Sequence, residues 1–77
     1  MTLHQAPVGT AVTVVDVSTH PRARRLAEVG LRPGALVAVL RRTSGDGRLL
    51  GLGLARMAVD RATATALLVA PATAPKS

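Results

Sequence analysis

The side chains able to do proton, metal or nucleophile chemistry are few: His4, His20, Asp16, Glu28, Asp46, Asp60 and the hydroxyls of Ser18, Ser44 and Ser77. A divalent metal needs three or more ligands converging on one point. The histidines and acids here are scattered singly. Asp16 and His20 stand four apart, but that interval spans a strand end and a loop rather than one helix face. There is no cysteine, which excludes disulfides, thiolate ligands and cysteine nucleophiles. No serine has a His/Asp partner arrangement, and no two carboxylates are placed to share acid and base work. Gly45-Asp46-Gly47 and Gly51-Leu52-Gly53 lack the lysine, the Ser/Thr and the strand–loop–helix setting of a phosphate-binding loop. The expectation is a domain without catalytic residues, metal ligands or a cofactor.

Charge is the chemistry that remains. Ten Lys and Arg oppose four Asp and Glu for a net charge of +6, and nine of the ten are arginine. Such a molecule attracts anions. Arg22, Arg24 and Arg25 fall on or beside the polar face of a short predicted helix, and Arg32, Arg41 and Arg42 follow closely. This positive side has three readings: a solvated helix face, a dock for a protein partner, or a phosphate contact for nucleic acid. Small barrels that hold single strands stack bases on aromatic side chains, and the aromatic content is 0%. That argues against nucleic acid. No apolar run is long enough to span a membrane, and Met1-Thr2-Leu3-His4-Gln5 lacks the basic and apolar regions of a secretory signal. The expected compartment is the cytoplasm, with no membrane insertion.

The elements that must position these residues are short. Ala23, Leu26, Ala27 and Val29 alternate with Arg22, Arg24, Arg25 and Glu28 at helical spacing, predicting a helix over about residues 21–29 that seats one face on a core. Pro21 suits its first turn, and the N-cap is expected among Ser18, Thr19 and His20. Gly30 stands where a left-handed residue would stop the helix, with Leu31 to close the accompanying apolar contact. Arg32-Pro33-Gly34 reads as a type II turn.

Strands are expected over Ala11–Val17, with Val12 and Val14 on one face and Val15 and Val17 on the other, and over Ala35–Arg42. Thr43–Gly47 is a hairpin-type loop on the strength of Asp46-Gly47. Arg48–Leu54 follows, with Leu50, Leu52 and Leu54 directed inward and Gly51 and Gly53 thinning the other face. Met57-Ala58-Val59 forms a further strand, with Met57 as a core filler. Asp60 caps a helical turn near residues 60–66, and Leu67-Leu68-Val69 completes the set. Residues 1–70 form one domain, and 71–77, with Pro71, Pro75 and Lys76, a disordered tail. Five short strands, one short helix and one helical turn in so little chain predict a mainly β fold, a small SH3-like antiparallel barrel.

The order of these elements resembles the FeoA family, the ferrous iron transport protein A domains, over about residues 3–69. The specific part is the helix-to-turn stretch, where Arg25, Leu26, Gly30, Leu31, Pro33 and Gly34 match the family pattern R-L-x-x-x-G-L-x-P-G. Two departures stand out. Thr43–Gly47 replaces a proline-rich loop, and the Ala55–Asp60 segment carries an acid where a basic residue is common. The resemblance implies an SH3-like barrel and a non-enzymatic cytosolic accessory that docks on the cytosolic region of a GTPase-coupled ferrous iron transporter. Association with iron transport does not by itself make the domain an iron binder. The docking residues would be Arg22, Arg24, Arg25 and Glu28, with Ser44 and Asp46 in the adjacent loop. The alternatives are a basic small barrel that binds nucleic acid, and a stand-alone form of the SH3-like module that follows iron-dependent DNA-binding repressors.

Overall fold

The computed structural model describes residues 1–17 and 20–72. Alternating valines build the first two strands: Val12 and Val14 point inward from β1 (Ala11–Asp16), and Val37 and Val39 from β2 (Leu36–Thr43). Leu50 does the same from β3 (Gly47–Leu52), Val59 from β4 (Ala55–Val59) and Val69 from β5 (Leu68–Pro71). These strands form one antiparallel five-stranded sheet in the order β4-β3-β2-β1-β5. The six-residue helix α1 (Ala23–Glu28) follows β1, and the six-residue helix α2 (Arg61–Ala66) joins β4 to β5.

A 3-10 turn at Leu3–Gln5 closes the other side. The Leu3 amide donates to Leu67 O at 2.8 Å and the Val69 amide to Met1 O at 2.8 Å, so the first residues cover the outer edge of β5. Among the described residues nothing pairs with the outer edge of β4. Leu3, Leu31, Leu50, Leu67, Val12, Val37 and Val39 are almost fully buried, giving a core of aliphatic side chains that each contribute about 1.5–3 kcal/mol of burial free energy.

Four expectations are corrected. The register of β1 against β5 shifts between Val14 and Asp16, and this bulge breaks the simple alternation, leaving Val15 exposed and Val17 buried rather than on one shared face. Leu54 is fully exposed, not inward, because β3 ends at Leu52 and Gly53-Leu54 form the two-residue turn into β4. In the β2–β3 loop the positive φ angles belong to Gly45 (71°) and Asp46 (63°), whereas Gly47 already belongs to β3 opposite Thr43. Gly47 is needed for space: a Cβ there would lie 2.5 Å from Val59 O and 2.6 Å from Thr43 Oγ1. Finally, Pro71, expected in the tail, is the last residue of β5 and pairs with Val12, and the Ala72 amide donates to Ala11 O at 3.1 Å. Residues 73–77 lie outside the described chain.

Candidate functional site

The stretch that carries α1 folds as its residues dictate. Leu26 is buried and Ala23 packs against the core, while Arg22, Arg24, Arg25 and Glu28 stand in solvent. At the far end the Gly30 amide donates to Ala27 O at 3.1 Å and the Leu31 amide to Leu26 O at 2.8 Å, the paired bonds of a Schellman stop. Gly30 takes φ 105°, a conformation that side chains resist, and Leu31 is buried with Leu26 to seal the contact. The chain then turns at Pro33-Gly34, where the Ala35 amide donates to Arg32 O at 3.0 Å.

The start of α1 differs from expectation. Arg22 occupies the N-cap position and its side chain makes no capping bond. His20 instead accepts the Arg22 amide at Nδ1, 2.9 Å away. A backbone N–H can only donate, so Nδ1 is unprotonated, and in the neutral ring Nε2–H faces Thr63 Oγ1 at 3.2 Å. The ring therefore ties the start of α1 to α2. Ser18 and Thr19, the other expected caps, lie outside the described residues.

Pro21, Arg22, Arg24, Arg25 and Glu28 line a surface depression of about 460 Å³. Among the described residues no ion pair engages these arginines. Arg22 and Arg24 stand at the start of α1, where positive charge runs against the helix dipole, whereas Arg25 lies in its last turn, where the dipole suits it.

Ser44 and Asp46 belong to a different neighbourhood. Ser44 is exposed at the start of the loop. Asp46 is a hub: its carboxylate bonds His4 Nε2 at 2.7 Å and Arg48 Nη1 at 3.1 Å, and Arg61 Nε lies 3.7 Å away. The hydrogen bond from His4, then that from Arg48, lowers its pKa to about 2. No hydrogen bond or ion pair among the described residues joins Ser44 or Asp46 to α1, so the loop and the helix face do not form one bonded constellation.

Arg48, which the sequence reading placed simply at the start of a strand, is only 3% exposed. Its Nη1 donates to Asp46 O and Gly47 O at 3.1 and 2.8 Å, and its Nη2 to His4 O at 3.2 Å, while Nε has no partner. The signal for it was an arginine two residues beyond a turn acid, opening an otherwise apolar strand. Among the described residues no three His, Cys, Asp or Glu side chains come together as metal ligands. Among the described residues no helix is long and apolar enough to cross a membrane.

A second depression, which sequence reasoning did not find, lies on the outer face of the sheet. It has a volume of about 400 Å³ and is lined by apolar and small residues of β1, β2, β3 and β4 together with Arg56.

Known proteins place this geometry. The FeoA protein of Chlorobium tepidum is 27% identical and superposes with a TM-score of 0.85, over 99% of this chain and 74% of that one. The FeoA of Stenotrophomonas maltophilia, described in complex with zinc and as an SH3 domain protein suggested to be a ferrous iron transport activating factor, is 29% identical with a TM-score of 0.75, over 91% and 89% of the two chains. A manganese-dependent transcriptional repressor, 21% identical with a TM-score of 0.76, shares the fold over 94% of this chain and 41% of its own. No curated protein matches the chain. The FeoA domain model matches residues 1–71, from the 3-10 turn through β5, and the chain belongs to the FeoA family.

Proposed function

We propose that this domain is a non-enzymatic, cytosolic accessory of bacterial ferrous iron uptake that docks on the cytosolic region of a GTPase-coupled ferrous iron transporter. Membership of the FeoA family supports the link to ferrous iron transport. The observation that carries the docking surface is the row of exposed charges on α1: Arg22, Arg24, Arg25 and Glu28 border one depression, and the arginines have no ion-pair partner among the described residues. Unpaired surface guanidinium groups steer an encounter with an acidic surface and set its orientation, and they do so with strong dependence on salt. Ser44 and Asp46 supply a separate second contact, one a free hydroxyl position and the other a braced carboxylate.

The test is retention of the transporter from nuclease-treated, solubilised host membranes on the immobilised domain at low salt. The wild-type domain retains it, and the double variant Arg24→Glu, Arg25→Glu does not. Equal retention by both removes α1 as the docking face. Retention that vanishes on nuclease treatment points instead to nucleic acid.

A further inference from the structure

One row of cross-strand neighbours runs across the outer face of the sheet: Ala11 opposite Ala38, Ala38 opposite Gly51, and Gly51 opposite Arg56. The inward neighbours in sequence, Val37, Val39 and Leu50, are buried, so this row belongs to the opposite, solvent side. A one-sided antiparallel sheet normally shows polar residues there. Here the row has small residues for a floor, with Leu36 (64% exposed) and Leu40 (37% exposed) from β2 on either side, and the fully exposed Leu54 at the β3–β4 turn.

The floor is kept open by a glycine that the backbone does not require. Gly51 is not among the residues with positive φ. A Cβ added there would sit 3.4 Å from Ala38 Cβ and 3.6 Å from the Leu40 methyl groups, which is ordinary contact. A side chain at this position would fit the fold and fill the trough.

We propose that this trough binds an extended, amphipathic acidic segment of a partner protein, its apolar side chains seated on the Ala11–Ala38–Gly51 floor and a carboxylate on Arg56. The proposal is independent of the α1 docking face. Charge complementarity selects the occupant. Among the described residues Arg56 is the only charged one lining the trough, in a chain of net charge +6, so a second copy would bring like charge to the contact while an acidic segment brings the opposite. Shape selects a peptide over a fatty acid. The trough is an open surface depression that covers one side of its occupant, which suits a strand with one apolar and one polar edge, whereas an alkyl chain needs enclosure. Four strands set about 4.8 Å apart span about 14 Å, the reach of four or five extended residues.

The experiment uses the isotopically labelled whole chain and two synthetic peptides, acetyl-Glu-Ser-Leu-Ser-Val-amide, whose Glu, Leu and Val share one face when extended, and its counterpart with Lys in place of Glu. The Glu peptide shifts the Ala38, Gly51 and Arg56 amides saturably and binds about tenfold more tightly than the Lys peptide, a difference of about 1.4 kcal/mol. Arg56→Glu reverses that preference. Gly51→Val abolishes binding of both peptides with the melting temperature retained, and Leu54→Asp, at a fully exposed turn, weakens it if the valine variant proves unstable. The proposal is overturned by shifts confined to the α1 arginines, by no shift from either peptide, or by decanoate occupying the same amides in preference to the peptides. Concentration-dependent dimerisation through those amides without any peptide also overturns it. Loss of this binding with transporter retention intact removes the trough and leaves the α1 reading standing, and the converse removes only the latter.

Discussion

The two helices are equal in length and are held at opposite ends by different chemistry. α1 is finished by backbone: the bonds from Gly30 and Leu31 to Ala27 and Leu26 satisfy its last carbonyls, and its N-cap residue contributes no side-chain bond. α2 is started by a carboxylate, with Asp60 Oδ1 accepting the Thr63 amide at 2.8 Å, and its C-cap Leu67 leaves in extended conformation without a glycine stop. One consequence is electrostatic. α1, closed by its own backbone, carries Arg24 in its first turn, where the dipole disfavours it, and Arg25 in its last, where the dipole suits it, so the two largely offset each other. A helix opened by an acid depends on that acid's charge, and α2 is in addition close to the Asp46 hub through Arg61.

The largest effect expected from breaking this comparison is at Gly30. A β-branched side chain at φ 105° is strained, and the strain falls on the residue that orients Leu31 into the core. Gly30→Val is expected to cost about 2 kcal/mol and lower Tm by roughly 8–15 °C, read by thermal circular dichroism. An unchanged melting curve would show that α1 does not need its left-handed stop. Next in size is Asp60→Ala, which removes the acceptor that starts α2 and lowers Tm by a few degrees. Asp60→Asn keeps an acceptor oxygen but not the charge, and its Tm is expected to fall between those of alanine and wild type at neutral pH; a Tm equal to the wild type's would mean that the acceptor alone, not its charge, starts α2.

Acid sharpens the same contrast. The Thr63 bonds lower the Asp60 pKa from its ordinary 3.8, and the His4 and Arg48 bonds lower that of Asp46 to about 2. Both folded values lie below the unfolded ones, so the native state favours the charged forms. The stability they supply is therefore complete above about pH 4 and is lost as pH falls below the ordinary carboxylate range, for Asp46 towards about 2. The Gly30 and Leu31 bonds have no titrating acceptor. In a pH titration followed by amide exchange, protection of Thr63 is expected to fall in that window ahead of protection of Leu31. The reverse order would refute the assignment of carboxylate dependence to α2 alone.

Legibility in the sequence follows the range of the interaction that decides each feature. The α1 stop, the Pro33-Gly34 turn and the Asp60 cap were readable because each is settled by residues within a few positions, through φ preference or a local acceptor. The strand faces were readable only until a bulge intervened: after Val14 the alternation fails, and Val15 and Val17 part company. Arg48 was only half readable: its place beside the turn acid is local, but its burial depends on the carbonyl of His4, 44 positions away, as well as on its own turn. The sheet trough escaped for the same reason, since Ala11, Ala38, Gly51 and Arg56 become neighbours only through four-strand register. The helix face is legible because its spacing is local, whereas the bonds of Asp46 to His4, 42 positions away, depend on the folded chain.

The smallest expected change in stability is at the proposed docking residues, and its size is informative. Arg24 lies in the first turn of α1, where the helix dipole disfavours positive charge, and Arg22 and Arg25 stand close by in sequence. Replacing Arg24 by Glu removes that unfavourable placement, whereas Arg25 lies in the last turn, where positive charge suits the dipole, so the two changes oppose each other, and neither breaks an ion pair among the described residues. The double variant is expected to melt close to the wild-type Tm, within roughly 0.5 kcal/mol of its stability. Loss of transporter retention in a variant so folded would assign the arginines to recognition, because nothing in the packing of α1 would have changed. A marked fall in Tm would mean that these side chains brace the helix after all, and the contrast with α2 would rest on its stop alone.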